Sequence, residues 1–138
     1  MMRPTIVAIL ALTAIGSGIS SNAQAAEVEG YWITQDQNIS CAVVDNKLRC
    51  DVAKHSWKPW ACQDNGCYGN SFVIASKGKA VAIRSSDTTW NPNASVIGNG
   101  KSFSINGITC EAKANQLTCS NNSGGRMILS STTYTLNR

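Results

Sequence analysis

The sequence predicts an all-β domain: a small antiparallel barrel or sandwich built from disulfide-stapled hairpins. Three observations predict it. The spacing Cys-x8-Cys occurs twice, at Cys41/Cys50 and at Cys110/Cys119. The residues around both pairs alternate apolar and polar with a period of two, the pattern of a half-buried strand. Short turn signals recur along the chain, and no window carries helical periodicity. The two similar cysteine hairpins suggest two related halves.

Residues 1–25 read as a secretory signal peptide. Arg3 supplies a positive start, and the run TIVAILALTAI at 5–15 is apolar but too short to span a bilayer. Ala23-Gln24-Ala25 is an A-x-A cleavage signal. The expected mature protein is residues 26–138, a single β domain that is periplasmic or secreted. No cysteine precedes Cys41, so no lipid-acylation site is expected. No later apolar stretch is long enough to span a membrane, so no stable insertion is expected after cleavage. Eleven of the 12 bases and all 8 acids fall within 26–138, a formal charge of +3. The lysines are scattered, whereas a nucleic-acid surface would need a clustered basic face, so no nucleic-acid partner is expected.

The first strand is placed at Tyr31–Thr34. The first cysteine hairpin follows. A two-residue turn at Asp45-Asn46 makes 44 face 47, and the register then carries Cys41 directly opposite Cys50. That pair falls on a non-hydrogen-bonded site, where facing side chains come closest. Ile39, Cys41, Val43, Leu48, Cys50 and Val52 share the core face. Ser40, Ala42, Lys47, Arg49 and Asp51 take the other face, with Val44 the apolar exception. Two further strands, 71–76 and 80–84, flank Lys77-Gly78-Lys79 and read as a hairpin.

Ser102–Ile105 leads through Asn106-Gly107, a strong type I′ turn signal, into the second cysteine hairpin. A turn at Ala114-Asn115 places Cys110 opposite Cys119, although alanine suits a type I′ turn poorly. Ile108, Cys110, Ala112, Leu117 and Cys119 point inward. Strands at Arg126–Ser130 and 132–136 complete the chain. Each staple closes a short loop, worth roughly 2–3 kcal/mol in the chain-entropy model. The remaining cysteines, Cys62 and Cys67, bracket Gln63-Asp64-Asn65-Gly66. An even cysteine number in an exported chain favours a third disulfide that clips this loop. A metal site on Cys62, Cys67 and His55 is the alternative, but structural zinc sites use four ligands, and no metal is expected.

Two stretches break the alternation. One is 53–70, which holds the only histidine and two of the four tryptophans. The other is 87–100, with Trp90, Asn91 and Pro92. Long loops on a stapled frame are where binding usually resides.

Several motifs resemble, in order, a family of small exported bacterial proteins of unknown function. They are N-I-S-C at 38–41, R-C-D-V at 49–52, H-S-W-K-P at 55–59 and Cys62. Asp87-Thr88, G-x-x-F-x-x-x-x-I-T-C at 100–110, Cys119 and L-S-x-x-x-Y at 129–134 follow. The resemblance covers nearly all of 26–138. The family pattern carries a cysteine near 84, before the Asp-Thr; here Arg84 stands there and Cys67 is extra. This implies that the partner of Cys62 has moved from that strand into the local loop. The resemblance supports fold and export and implies no activity.

Nothing in the chain has the pattern of an enzyme. No G-x-S-x-G, H-E-x-x-H or phosphate-cradling glycine loop occurs. Ser56 adjoins His55 in sequence, but adjacency does not supply nucleophile–base geometry. Asp51 and Asp64 have strand-end and turn explanations. No catalytic residue and no cofactor is therefore expected. The leading expectation is a non-enzymatic binding protein that uses an aromatic and basic loop, with His55, Trp57, Lys58, Trp60, Tyr68 and Trp90 as candidate contacts. The expected partner is a protein or a cell-envelope glycan. The alternatives are an inhibitor of a cell-wall hydrolase such as lysozyme, by analogy of size and disulfides, or a structural envelope-associated protein. Convergent exposed rings would favour binding; buried rings would favour a structural role.

Overall fold

The computed structural model describes residues 29–58 and 68–138, with Tyr68 as backbone alone. The expected signal peptide, Trp60 and the expected Cys62/Cys67 disulfide lie outside the described residues. The described chain forms β1 (Tyr31–Thr34), β2 (Ile39–Val44), β3 (Lys47–Val52), β4 (Tyr68–Ile74) and β5 (Val81–Ser85). It continues as β6 (Ser95–Ile97), β7 (Ser102–Ile105), β8 (Ile108–Lys113), β9 (Gln116–Ser120), β10 (Arg126–Ser130) and β11 (Tyr134–Leu136).

These strands form two sheets, ordered β5-β4-β3-β2-β1-β6 and β11-β10-β9-β8-β7. The sheets do not close on each other, so the fold is a sandwich and not a barrel. Each contains a five-strand meander, β1–β5 in one and β7–β11 in the other. Each meander has its disulfide between its second and third strands. The two halves thus share one topology. β6 is the addition: it pairs with β1 in parallel, whereas every other ladder among the described residues is antiparallel.

The hairpin registers follow from their turns. Asp45 and Asn46 both adopt positive φ, 49° and 64°, which a type I′ turn requires. Cys41 then faces Cys50 with Cα atoms 4.1 Å apart, the close spacing of a non-hydrogen-bonded pair. Asn106 and Gly107 form the second turn with positive φ at both positions. At 114–115 only Asn115 is left-handed, φ 61°. Ala114 avoids the conformation that its Cβ disfavours, and Cys110 still faces Cys119.

The core lies between the sheets. Phe72, Ile39, Leu48, Ile74 and Val52 from one side meet Ile108, Leu117, Met127 and Leu129 from the other, and all four described half-cystines are fully buried there. Aromatic side chains close both open seams. At one seam Trp32 of β1 stacks on Phe103 of β7, centroids 4.3 Å apart. At the other, Phe72 of β4 lies 5.0 Å from Tyr134 of β11, with Trp57 edge-on to both.

Asparagines tie the turns of one sheet to the other. The Asn137 side chain accepts from the Ala80 N–H and donates to the Ala80 carbonyl, both at 2.8 Å, as a strand neighbour would. Asn121 donates to the carbonyls of Ala75 and Gly78, and Asn106 donates to Asn46 Oδ1 between the tips of the two type I′ hairpins.

Candidate functional site: a polar-anchored strap carrying Trp90

The outer faces of the two sheets differ. On β8 burial alternates strictly, with Thr109, Glu111 and Lys113 exposed. On β2 and β3 the residues expected to face outward do so, yet Ser40, Ala42, Arg49 and Asp51 are buried as well. The cover is the connection from β5 to β6. Residues 86–94 cross the outer face of the first sheet as a strap and deliver β6 to the far side of β1.

The strap is fastened by hydrogen bonds to buried polar groups. Arg49 and Asp51 stand two residues apart on β3 and so share a face. The guanidinium grips the Asp51 carboxylate with Nε on Oδ1 at 3.1 Å and Nη2 on Oδ2 at 3.0 Å. It also holds Asp87, through Nη1 to Oδ1 at 2.6 Å and Nη2 to the main-chain carbonyl at 2.8 Å. Asp51 Oδ2 in turn accepts the Thr89 N–H at 2.9 Å. The buried Thr89 hydroxyl donates to the Ser40 carbonyl and meets the Ser40 hydroxyl at 2.7 Å. Fixing both oxygens of Asp51 and several donors of Arg49 is what lets this ion pair persist away from water. Burial works against the charge on Arg49, but the bonds from Asp87 and Asp51 outweigh it and hold its pKa above the ordinary value. The Ser85 hydroxyl, and then Arg49, hold the carboxyl of Asp87 below its ordinary range.

Trp90 follows directly. Its main-chain N–H donates to the Thr88 hydroxyl at 3.1 Å. Beyond it, Asn91-Pro92-Asn93-Ala94 forms a turn closed by Ala94 N–H on the Asn91 carbonyl and by Asn93 N–H on Asn91 Oδ1. Proline at the second position and asparagine at the first favour this geometry. Trp90 is thus set between two local hydrogen-bonded turns, yet it is 55% exposed. Beside the strap a cleft of about 210 Å³ is lined by Asp51, Ala53, Asn70, Asp87 and Thr88. The same sheet also carries a shallow groove of about 270 Å³ whose lining includes Val44, Val73, Val81 and Lys47. Val44 and Val81 are exposed there and, with Val73 and Ile83, make a small apolar patch.

The candidate residues of the 53–70 stretch are placed differently. Trp57 is half-buried at the seam, and its indole N–H donates to the Ser130 carbonyl at 2.9 Å. His55 stacks flat on it, centroids 3.7 Å apart, and its Nδ1–H donates to the Trp57 carbonyl at 2.9 Å. Lys58 is exposed. Trp57 thus belongs to the seam between the sheets, whereas Trp90 belongs to the strap over the outer face; the described rings do not converge. Trp60 lies outside the described residues, as does the side chain of Tyr68. The buried Arg49–Asp51 pair was missed from sequence. Its signal was present: two opposite charges with the same strand parity on either side of a core cysteine.

Comparison with known proteins now gives one positive result. A model of a family of unknown function, DUF6636, matches residues 11–136. The chain belongs to this family. No curated protein and no solved structure matches. Its described residues are all-β, and the two described disulfides mark a non-cytoplasmic protein. No helix among the described residues is long and apolar enough to cross a membrane.

Proposed function

We propose that this DUF6636 protein is an exported, periplasmic or secreted, non-enzymatic binding module whose contact surface is the strap at 86–94. One observation carries the reading. Trp90 is more than half exposed on a segment held by hydrogen bonds to buried groups on β2 and β3. A large ring presented on a rigid support suits an anchor residue: it offers contact area with little left to order on binding. The non-enzymatic part is supported by His55, which is engaged with a backbone carbonyl and an indole face, the arrangement of a structural residue. Export is supported by the 1–25 signal pattern and by the buried disulfides.

The test is affinity capture from an envelope extract with the protein and with its Trp90→Ala variant, matched for thermal stability. A component retained by the first and lost by the second supports the reading. Identical captures would sink it. The mass of the exported protein reports cleavage after Ala25.

A further inference from the structure

The surroundings of Trp90 narrow the chemistry of what it contacts, and the inference rests on the strap being the binding surface. From Thr88 to Gly100 the sequence contains no charged residue, in a chain that is 14% charged. The polar groups next to Trp90 are hydroxyls and amides: Thr88, Asn91 and Asn93. Such groups both donate and accept. Arg49, the cation beneath the strap, is already bonded to the carboxylates of Asp51 and Asp87, so its charge is matched within the protein. At the near edge, Thr88 also lines the 210 Å³ cleft, together with the amide of Asn70 and the carboxylate of Asp87. Only Oδ1 of Asp87 receives the Arg49 and Ser85 bonds, which leaves Oδ2 as an acceptor.

An exposed indole flanked by neutral two-way hydrogen-bonding groups matches a ligand with one apolar face and a rim of hydroxyls. A pyranose ring has that form: its axial C–H bonds make an apolar face, and its hydroxyls each donate and accept. A protein hot spot would call for a wider apolar surround, and from Thr88 to Asn93 the sequence offers only Pro92 beside Trp90, with exposed Val96 further along on β6. We infer that the strap is a neutral-saccharide site, with the sugar ring stacked on Trp90 and its hydroxyls bonded by Thr88, Asn91 and Asn93.

The experiment is to present the protein to an array of neutral and acidic glycans. Calorimetric titration with the neutral oligosaccharides that bind follows, using the wild type, Trp90→Ala and Trp90→Tyr. Near-ultraviolet circular dichroism establishes that the variants fold. The expected result is binding of neutral glycans, weakened at least tenfold by Trp90→Ala and largely kept by Trp90→Tyr. Binding of acidic glycans alone, of no glycan, or binding indifferent to Trp90→Ala would overturn the saccharide assignment. The envelope capture separates the two levels. A captured protein that depends on Trp90, with no glycan bound, removes the saccharide and leaves the binding surface. Loss of neither glycan nor captured component in Trp90→Ala removes both.

Discussion

Arg49 holds Asp87 at both ends: one guanidinium nitrogen bonds the carboxylate at 2.6 Å and another bonds the main-chain carbonyl at 2.8 Å. A side chain on a central strand thereby fixes the path of a connection that is distant in sequence. The same guanidinium neutralises the buried Asp51. Removing it should therefore both free the strap and strand a carboxylate. Arg49→Met is expected to cost about 3–5 kcal/mol in urea unfolding, the range for breaking a buried pair on one side. The double variant Arg49→Met/Asp51→Leu should recover part of that loss. No recovery would mean that tethering of the strap, and not charge burial, dominates.

The pH dependence of this tether has a defined sign. The Asp87 carboxyl is held below its ordinary range, so the stability that it contributes is present above the unfolded value of about 3.9 and is lost as pH falls through the lower folded value. The group is mostly exposed, so the effect is small and screened by salt. The wild type should melt above Asp87→Asn at pH 7 in low salt, and the difference should shrink on acidification below about pH 4. A difference that persists unchanged at acid pH would show that the charge of Asp87 does not fasten the strap.

Trp57 should behave as a packing residue. It lies edge-on to Phe72 and Tyr134 and bonds the Ser130 carbonyl. Trp57→Ala is expected to lower stability by about 2–4 kcal/mol, somewhat less than for a fully buried aromatic. Trp90→Ala should stay within about 0.5 kcal/mol, as at a surface site. Thermal melts of the two variants check the contrast directly.

The turn between β9 and β10 should tolerate substitution at one glycine and not at its neighbour. A Cβ on Gly125 would meet the carbonyl oxygen of Gly78 and the side-chain amide of Asn121. Both belong to the contact between that turn and the β4–β5 turn, so Gly125→Ala should cost about 1–3 kcal/mol. Gly124 has positive φ but open space around it, and Gly124→Ala should cost only about 1 kcal/mol from backbone strain. Equal losses in the two melts would argue against a crowded inter-sheet contact.

Local signals made the hairpins legible. Asp45, Asn46 and Asn115 adopt the left-handed conformation that asparagine and aspartate tolerate, and the registers of both cysteine pairs follow from counting outward from 45–46 and 114–115. The meanders are therefore readable from residues a few positions apart. The strap was not, because its cause is non-local. Arg49 and Asp51 look like ordinary outward residues until a segment some forty positions later folds over them. β6 is a three-residue strand with no alternation to read, and its existence depends on β1 offering an edge. The site residues divide the same way. Trp90 looked like a loop aromatic and is one. Trp57 looked similar, but tertiary contact with the second sheet makes it part of the seam.

The two staples also bear on how the chain oxidises. Each bridge joins residues nine positions apart across one turn and leaves the two sheets unlinked. Closing so short a loop has a small entropic cost, and the turn brings the two sulfurs together without help from distant parts of the chain. Correct pairing of these four thiols is thus decided hairpin by hairpin. Each hairpin can be sealed before its sheet is complete, and neither of these two bridges needs a thiol from the other sheet.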